Sequence, residues 1–309
     1  MISRTEIQDA GRRIATHVRR TPVLALEEKA FGIDAKIFFK LECLQHTGSF
    51  KPRGAFNSIL TSSIPPAGVI AASGGNHGAA VAYAAQKLGH HAEIFVPTIT
   101  PPNKMERLRQ YGATVNIIGN DYAEALAASR ERAAQTGAVP IHAYDDQRVL
   151  AGQGTLGMEL EEQVRGLDSV LIAVGGGGLI GGVAAWYQER VRVISVEPER
   201  APSLYQSLAA GQVIEVETGG VAADSLGARR VGELMLPIAQ KFVAQTLLIT
   251  DDQIIEAQKT LWQKLRLIVE PGGATALAAL LSGVYKPHSV ERVGVVLCGA
   301  NAELAKFPA

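Results

Sequence analysis

Residues 169–184 read SVLIAVGGGGLIGGVA. A short apolar run leads directly into four glycines, Gly175 to Gly178, and a second apolar stretch follows. The first part predicts a buried strand and the last the opening of a helix. Between them the glycines leave backbone N–H groups facing outward with no side chain in the way. The helix beyond aims its positive end at the same place, so an anion such as a phosphate is the natural occupant. A tight turn needs only one or two glycines, so four in succession argue for a ligand.

The same strand-then-helix rhythm runs outward in both directions. KIFFKLE (36–42), GVIAAS (68–73), AEIFVP (92–97), TVNIIG (114–119), VRVISVE (191–197) and RVGVVLCG (292–299) read as further buried strands. Helical patterns over 76–88, 103–111, 121–136, 147–165 and 251–268 separate them. Such alternation predicts an α/β fold of mostly parallel sheets flanked by helices on both faces. TSSIPPAG (61–68) and HAYDDQR (142–148) have loop-like compositions. They divide the chain into a large unit of 1–59 and 146–309 and a small inserted unit of 60–145.

Composition narrows the function. The chain of 309 residues balances 30 basic against 30 acidic side chains, which argues against nucleic acid as a partner. No uninterrupted apolar run reaches the roughly 18 residues of a membrane span. The polar start MISRTEIQDAGRRIATHV lacks the apolar middle of a secretion signal, and a cytoplasmic location is expected. Cys43 and Cys298, the only cysteines, are too few for a disulfide framework or a cysteine metal cage.

Gly176, Gly178 and Gly181 also fit G-x-G-x-x-G, and Glu197 ends the next strand where an acid could hold a ribose hydroxyl. A nicotinamide-dependent oxidoreductase is therefore the alternative of different chemistry. It must compete with two other loops. HTGSFKPRGAFNSI (46–59) sets Lys51 between a turn-prone segment and a helix start. SGGNHGAAVAYAAQKLG (73–89) is a second small-residue turn feeding a helix N-terminus, suited to gripping a carboxylate. Asn76 and His77 read either as plain helix caps or as part of that grip. Two anion-ready helix starts and one lysine suit a phosphate-bearing ligand together with a carboxylate-bearing substrate.

Ser49-Phe50-Lys51-Pro52-Arg53-Gly54-Ala55 resembles the cofactor-lysine motif of the serine/threonine dehydratase and serine racemase family, which has the tryptophan-synthase-β-like fold called fold type II. The resemblance extends in order through Ser73-Gly74-Gly75-Asn76-His77, Ala151-Gly152-Gln153-Gly154-Thr155, the four glycines, Glu270-Pro271-Gly272-Gly273-Ala274 and Cys298-Gly299-Ala300-Asn301. Ordered motifs along the whole chain outweigh one G-x-G-x-x-G. The resemblance implies pyridoxal 5′-phosphate carried by Lys51 as a Schiff base, with Lys51 as catalytic base. It implies Phe50 against the cofactor ring, Asn76 on its 3′-oxygen, Gly175 to Gly178 on its phosphate, and Glu270 and Cys298 beside it. It further implies a substrate held by Ser73, Gly74, Gly75, Asn76 and His77, with Gln153 near, and a homodimer. The expected reaction is loss of water from a β-hydroxy amino acid such as serine or threonine, giving a 2-keto acid and ammonia. Hydroxyaspartate, phenylserine and hydroxyectoine-derived intermediates are substrates of other short family members.

Three features set this chain apart within the resemblance. Serine racemase carries a Ser at the position of Gly74 to move a proton on the second face, and glycine has none to offer, so elimination is favoured over racemisation. Several relatives bind a divalent cation at positions matching Glu197, Ala201 and Ser203. A Ser in place of the second carboxylate weakens such a site, and no required metal is expected. The chain ends soon after Cys298, so no added regulatory domain is expected.

Overall fold

The computed structural model describes residues 1–303 and Phe307. The described residues form ten strands: β1 (Val23–Ala25), β2 (Lys36–Lys40), β3 (Val69–Ala72), β4 (Ala92–Val96), β5 (Thr114–Ile117), β6 (Val139–Pro140), β7 (Ser169–Ala173), β8 (Arg192–Pro198), β9 (Val243–Ile249) and β10 (Arg292–Val296). Helices α1 (Arg4–Ile14), α2 (Pro52–Leu60), α3 (Asn76–Lys87), α4 (Pro102–Gln110), α5 (Tyr122–Thr136) and α6 (Gln147–Gln163) belong to the first half. Helices α7 (Gly178–Tyr187), α8 (Ser203–Ala210), α9 (Ala223–Leu226), α10 (Leu236–Phe242), α11 (Asp251–Leu265) and α12 (Pro271–Leu281) follow. None of the described helices is long and apolar enough to cross a membrane.

Two sheets result, an α/β arrangement as the alternation predicts. One has the order β1-β2-β10-β7-β8-β9, parallel except where β1 runs against β2. The other has the order β5-β4-β3-β6 and is wholly parallel, built from residues between Val69 and Pro140. The central strands are buried on both faces, which is why β7 reads as an unbroken apolar run. The larger core gathers Val170 to Val174, Val193 to Val196 and Val293 to Leu297 under α7 and α12. The smaller core lays Ala79 to Ala82 of α3 on Val69, Ala71, Ile94 and Val96.

The strands the sequence did not disclose, β1, β6 and β9, are edge or short ones. Strand β9 carries Gln245 and Thr246 among its apolar residues and is partly exposed, and β6 has two residues ending in Pro140. Burial of edge strands is set by their neighbours, so their patterning is weak.

Glycines of the Ala151–Thr155 motif have a packing reason. A Cβ on Gly152 would lie 2.5 Å from the Arg53 carbonyl oxygen, and one on Gly182 would lie 2.5 Å from the Gly154 nitrogen. Backbones of α2, α6 and α7 therefore touch directly, which fixes the start of α2 just past Lys51.

Candidate active site

The sheet order explains which residues meet. Strands β2, β10 and β7 are neighbours, so the segments leaving their C-terminal ends lie side by side, where parallel α/β sheets bind ligands. These segments carry Lys51, Cys298 and the four glycines. Phe50 N–H donates to the Cys298 carbonyl at 3.1 Å, and Ser49 bridges Gly299. Strand β3 of the smaller sheet ends in Ser73 to Asn76, facing the same cleft.

Lys51 lies at the N-cap of α2, its Nζ donating to the Ala143 carbonyl at 2.9 Å. Burial lowers its pKa to about 8, against the opposing pull of Cys298 and Glu270. Phe50 sits beneath it, with Nζ 5.2 Å from the ring centroid. Arg53 pins this start of α2 from below. Its guanidinium grips Glu42 at 2.7 and 2.9 Å and Glu159 at 3.0 Å, with all three side chains buried.

Helix α7 starts at Gly178 with Gly177 as a left-handed N-cap (φ 85°), a conformation glycine adopts without strain. Among the described residues, no acceptor takes the N–H groups of Gly175, Gly176, Gly177 and Gly178. A Cβ on Gly176 would meet Tyr144 Cδ1 at 2.3 Å and one on Gly178 would meet Tyr144 Cβ at 2.9 Å. Bare glycine is thus required both for the open donors and for the aromatic neighbour.

The second helix start has the same character. Gly75 is the N-cap of α3, and no side chain caps the helix, so neither Asn76 nor His77 serves as its cap. The N–H groups of Asn76, His77 and Gly78 have no acceptor among the described residues. Ser73 Oγ accepts from Gly75 N–H at 3.2 Å and shapes the turn. A Cβ on Gly74 would come within 2.8 Å of Thr100 Cγ2, so buried Thr100 occupies the space a side chain there would need.

Asn76 lies across the cleft. It donates to Glu270 Oε1 at 2.7 Å and accepts from Asn301 Nδ2 at 2.6 Å. Burial raises the Glu270 carboxyl to about 7, partly offset by the Asn76 hydrogen bond. The His77 side chain turns away to the Ile141 carbonyl, with Nε2 at 2.9 Å. Burial, assisted by Lys51, depresses its pKa to about 3, so the ring is neutral and its contribution to the cleft is its backbone. Gln153 is buried in α6 with its amide against Gly54 and its Oε1 without a partner. Cys298 is a buried thiol donating to the Gly272 carbonyl at 3.4 Å, its pKa pushed well up by burial.

A cavity of about 300 Å³ opens beside Asn76 and Glu270, lined also by Asn103, Lys104 and Arg107 of α4 and by Asp224. Sequence reasoning assigned no role to α4. Its cations are plain in the sequence, but nothing local says which cleft they face.

Residues 14–299 match the family model described as pyridoxal-phosphate dependent enzyme. The chain belongs to this family. It is 38% identical to an L-threonine ammonia-lyase of Geobacter sulfurreducens, covering 98% of this chain and 77% of that one. It is 35% identical to a β-hydroxyaspartate dehydratase of Paracoccus denitrificans over 97% of this chain and 96% of that one. The solved structure of maize serine racemase superposes with a TM-score of 0.93 at 36% identity, covering 98% of this chain and 94% of that one. The fold is the fold type II of pyridoxal-phosphate enzymes, as the ordered motifs imply.

The residues present fit the cofactor. A phosphate matches the four orphan glycine donors at the start of α7. An aldehyde matches a buried amine whose pKa is already lowered toward neutrality. A pyridine nitrogen matches the Cys298 thiol, which stays protonated and offers no negative charge. The rival dinucleotide reading fails on Glu197. That side chain is buried and spent on α8, accepting from Leu204 and Tyr205 N–H, each at 2.7 Å.

Proposed function

We propose that this pyridoxal-phosphate enzyme removes water from a β-hydroxy amino acid and releases a 2-keto acid and ammonia. One observation carries the choice of elimination: Lys51 is a buried amine on one side of the site, while Gly74 has no side chain and Thr100 fills the space where one would stand. Names of relatives that the chain matches, ammonia-lyase and dehydratase among them, support the same class.

When bound, the cofactor supplies the electron sink that makes the α-proton removable. The chain supplies the rest. Gly175 to Gly178 would hold its phosphate through backbone N–H groups, and Lys51 would hold its aldehyde carbon. The N–H groups of Asn76, His77 and Gly78 orient the substrate carboxylate at the positive end of α3. Lys51 Nζ, once free and neutral, takes the α-proton. The β-hydroxyl leaves as water, and the enamine that departs hydrolyses to the keto acid and ammonia. Neutral His77 and the Asn301–Asn76–Glu270 chain fix the carboxylate side of the cleft without adding a competing cation.

Serine racemisation is the second reading, favoured by the likeness to maize serine racemase and opposed by Gly74. Keto-acid release and chiral analysis from serine, threonine, phenylserine and hydroxyaspartate separate the two. Elimination should dominate. Lys51→Ala should abolish turnover together with the long-wavelength absorbance of the lysine-bound cofactor. Racemisation outrunning keto-acid release would reject the proposal.

A further inference from the structure

Helix α9 is four residues long, yet three of them in succession reach three separate parts of the cleft. A Cβ on Gly175 would lie 3.0 Å from Leu226 Cα and 3.1 Å from the Leu226 carbonyl oxygen, so the end of α9 rests on the phosphate loop. Ser225 Oγ accepts from Gly272 N–H at 3.2 Å, and the Gly272 carbonyl in turn receives the Cys298 thiol. Asp224 reaches the other way. Its carboxylate pairs with Lys104 Nζ of α4, and its carbonyl oxygen lies 3.9 Å from where a Gly75 Cβ would stand.

These contacts cross between the two sheets. Helix α4 lies between β4 and β5 of the smaller sheet, and α9 lies between β8 and β9 of the larger. Lys104 and Asp224 stand with Gly75 and Asn76 on the wall of one cavity. The Lys104 side chain is 13% exposed and that of Asp224 65%, so salt screens the pair less than one that is fully exposed.

The cofactor phosphate and the substrate carboxylate would sit at the starts of α7 and α3, one beside each sheet. The spacing between those helix starts must therefore be held, and α9 touches the loop before each of them. We propose that Lys104 and Asp224 are positioning residues, whose ion pair clamps α9 to the smaller unit and so fixes the carboxylate-gripping turn against the phosphate loop. The inference rests on the lyase reading above, which assigns the two anion sites, and adds what keeps them in register. No proton moves through the pair. The carboxylate grip is made in ground state and transition state alike, so a turn that drifts weakens substrate binding and leaves the chemical step nearly untouched.

The test measures kcat and KM for serine and threonine in the parent holoenzyme, in Lys104→Met, in Asp224→Asn, in the two combined, and in the swap of Lys104→Asp with Asp224→Lys. Each single variant should raise KM about three- to fivefold, the range of a half-sheltered ion pair, with kcat within about twofold of the parent. The combined variant should be no worse than either single one, because both remove the same interaction. The swap should return KM toward the parent value, which a merely structural role of either side chain would not do. Its new charges suit their surroundings: position 104 shares a helix face with Arg107, and position 224 acts on Glu270. Visible absorbance of the lysine-bound cofactor, unchanged across the set, reports an intact site. Single variants with an unmoved KM, effects that add in the combined variant, or a swap as poor as the single changes would each overturn the inference and leave the lyase reading standing. A parent that releases no keto acid from either substrate would defeat both.

Discussion

Lys51 Nζ donates to the carbonyl of Ala143 at 2.9 Å. The acceptor lies in the stretch between β6 and α6, where the chain returns from the smaller sheet to the larger one. The amine proposed as the catalytic base, at the start of α2, is thus held by the connection between the two sheets. The hydrogen bond leaves the lone pair free whenever the amine is neutral.

Burial of that amine has a pH consequence. With a pKa lowered to about 8, the neutral, nucleophilic form gains population as pH rises through 8. Cofactor loading of the apo chain, followed by visible absorbance, should accelerate with pH with a midpoint near that value. The stability effect has the same direction. Between about 8 and the ordinary lysine value of 10.5 the folded apo chain binds fewer protons than the unfolded one, so stability rises with pH across that window. A loading midpoint near 10.5 would contradict the buried amine.

Gly74 and Thr100 form one steric unit. A serine at 74 places its Cβ within 2.8 Å of Thr100 Cγ2. Gly74→Ser alone should therefore lose lyase activity through displacement of the turn, by an order of magnitude or more. Gly74→Ser with Thr100→Ser removes that methyl group and should recover activity while gaining measurable serine racemisation. Chiral chromatography of serine after incubation is the check, and a double variant without racemisation would show that a second-face proton donor needs more than a hydroxyl at 74.

Glu270 is raised to about 7 by burial, so its folded form holds a proton more tightly than the unfolded one between about pH 4.5 and 7. Its contribution to stability is present below that window and is lost as pH rises through 7. Glu270→Gln keeps an acceptor for Asn76 and removes the titration. The melting-temperature gap, variant minus parent, should grow from pH 5 to pH 8; a constant gap would locate the titration elsewhere.

Glu197 accepts from two N–H groups at the start of α8, and Ser203 Oγ stands 3.4 Å from its Oε1 and 3.1 Å from the Gly175 carbonyl. These contacts tie the start of α8 to the Gly175 loop through protein groups, and activity should survive exhaustive chelation. Ser203→Asp brings a second carboxylate to that spot, and magnesium should then raise the melting temperature of the variant but not of the parent. Activity lost on chelation and restored by magnesium would reverse this account.

Arg53 neutralises Glu42 and Glu159 in the buried base of α2. Arg53→Met leaves buried Glu42 without its cation, while Glu159 keeps Lys40, and should cost about 3–5 kcal/mol in denaturant unfolding. The cofactor absorbance of Lys51, directly before this anchor, should shift with it.

The α/β class, the strand-helix rhythm and the anion-ready glycines were legible from the chain alone, because periodicity and glycine clustering are local properties. Lys51 became identifiable only through its order among other motifs. The three-dimensional structure decided what no local pattern encodes. It turned the His77 ring away to Ile141, buried Gln153 against Gly54 and committed Glu197 to α8. It set Thr100 behind Gly74 and turned Arg107 toward the cavity. Each of these depends on which distant segments are packed together, and packing is a property of the whole sheet order. The residue types announce the chemistry; the neighbours they acquire on folding decide which of them reach the substrate.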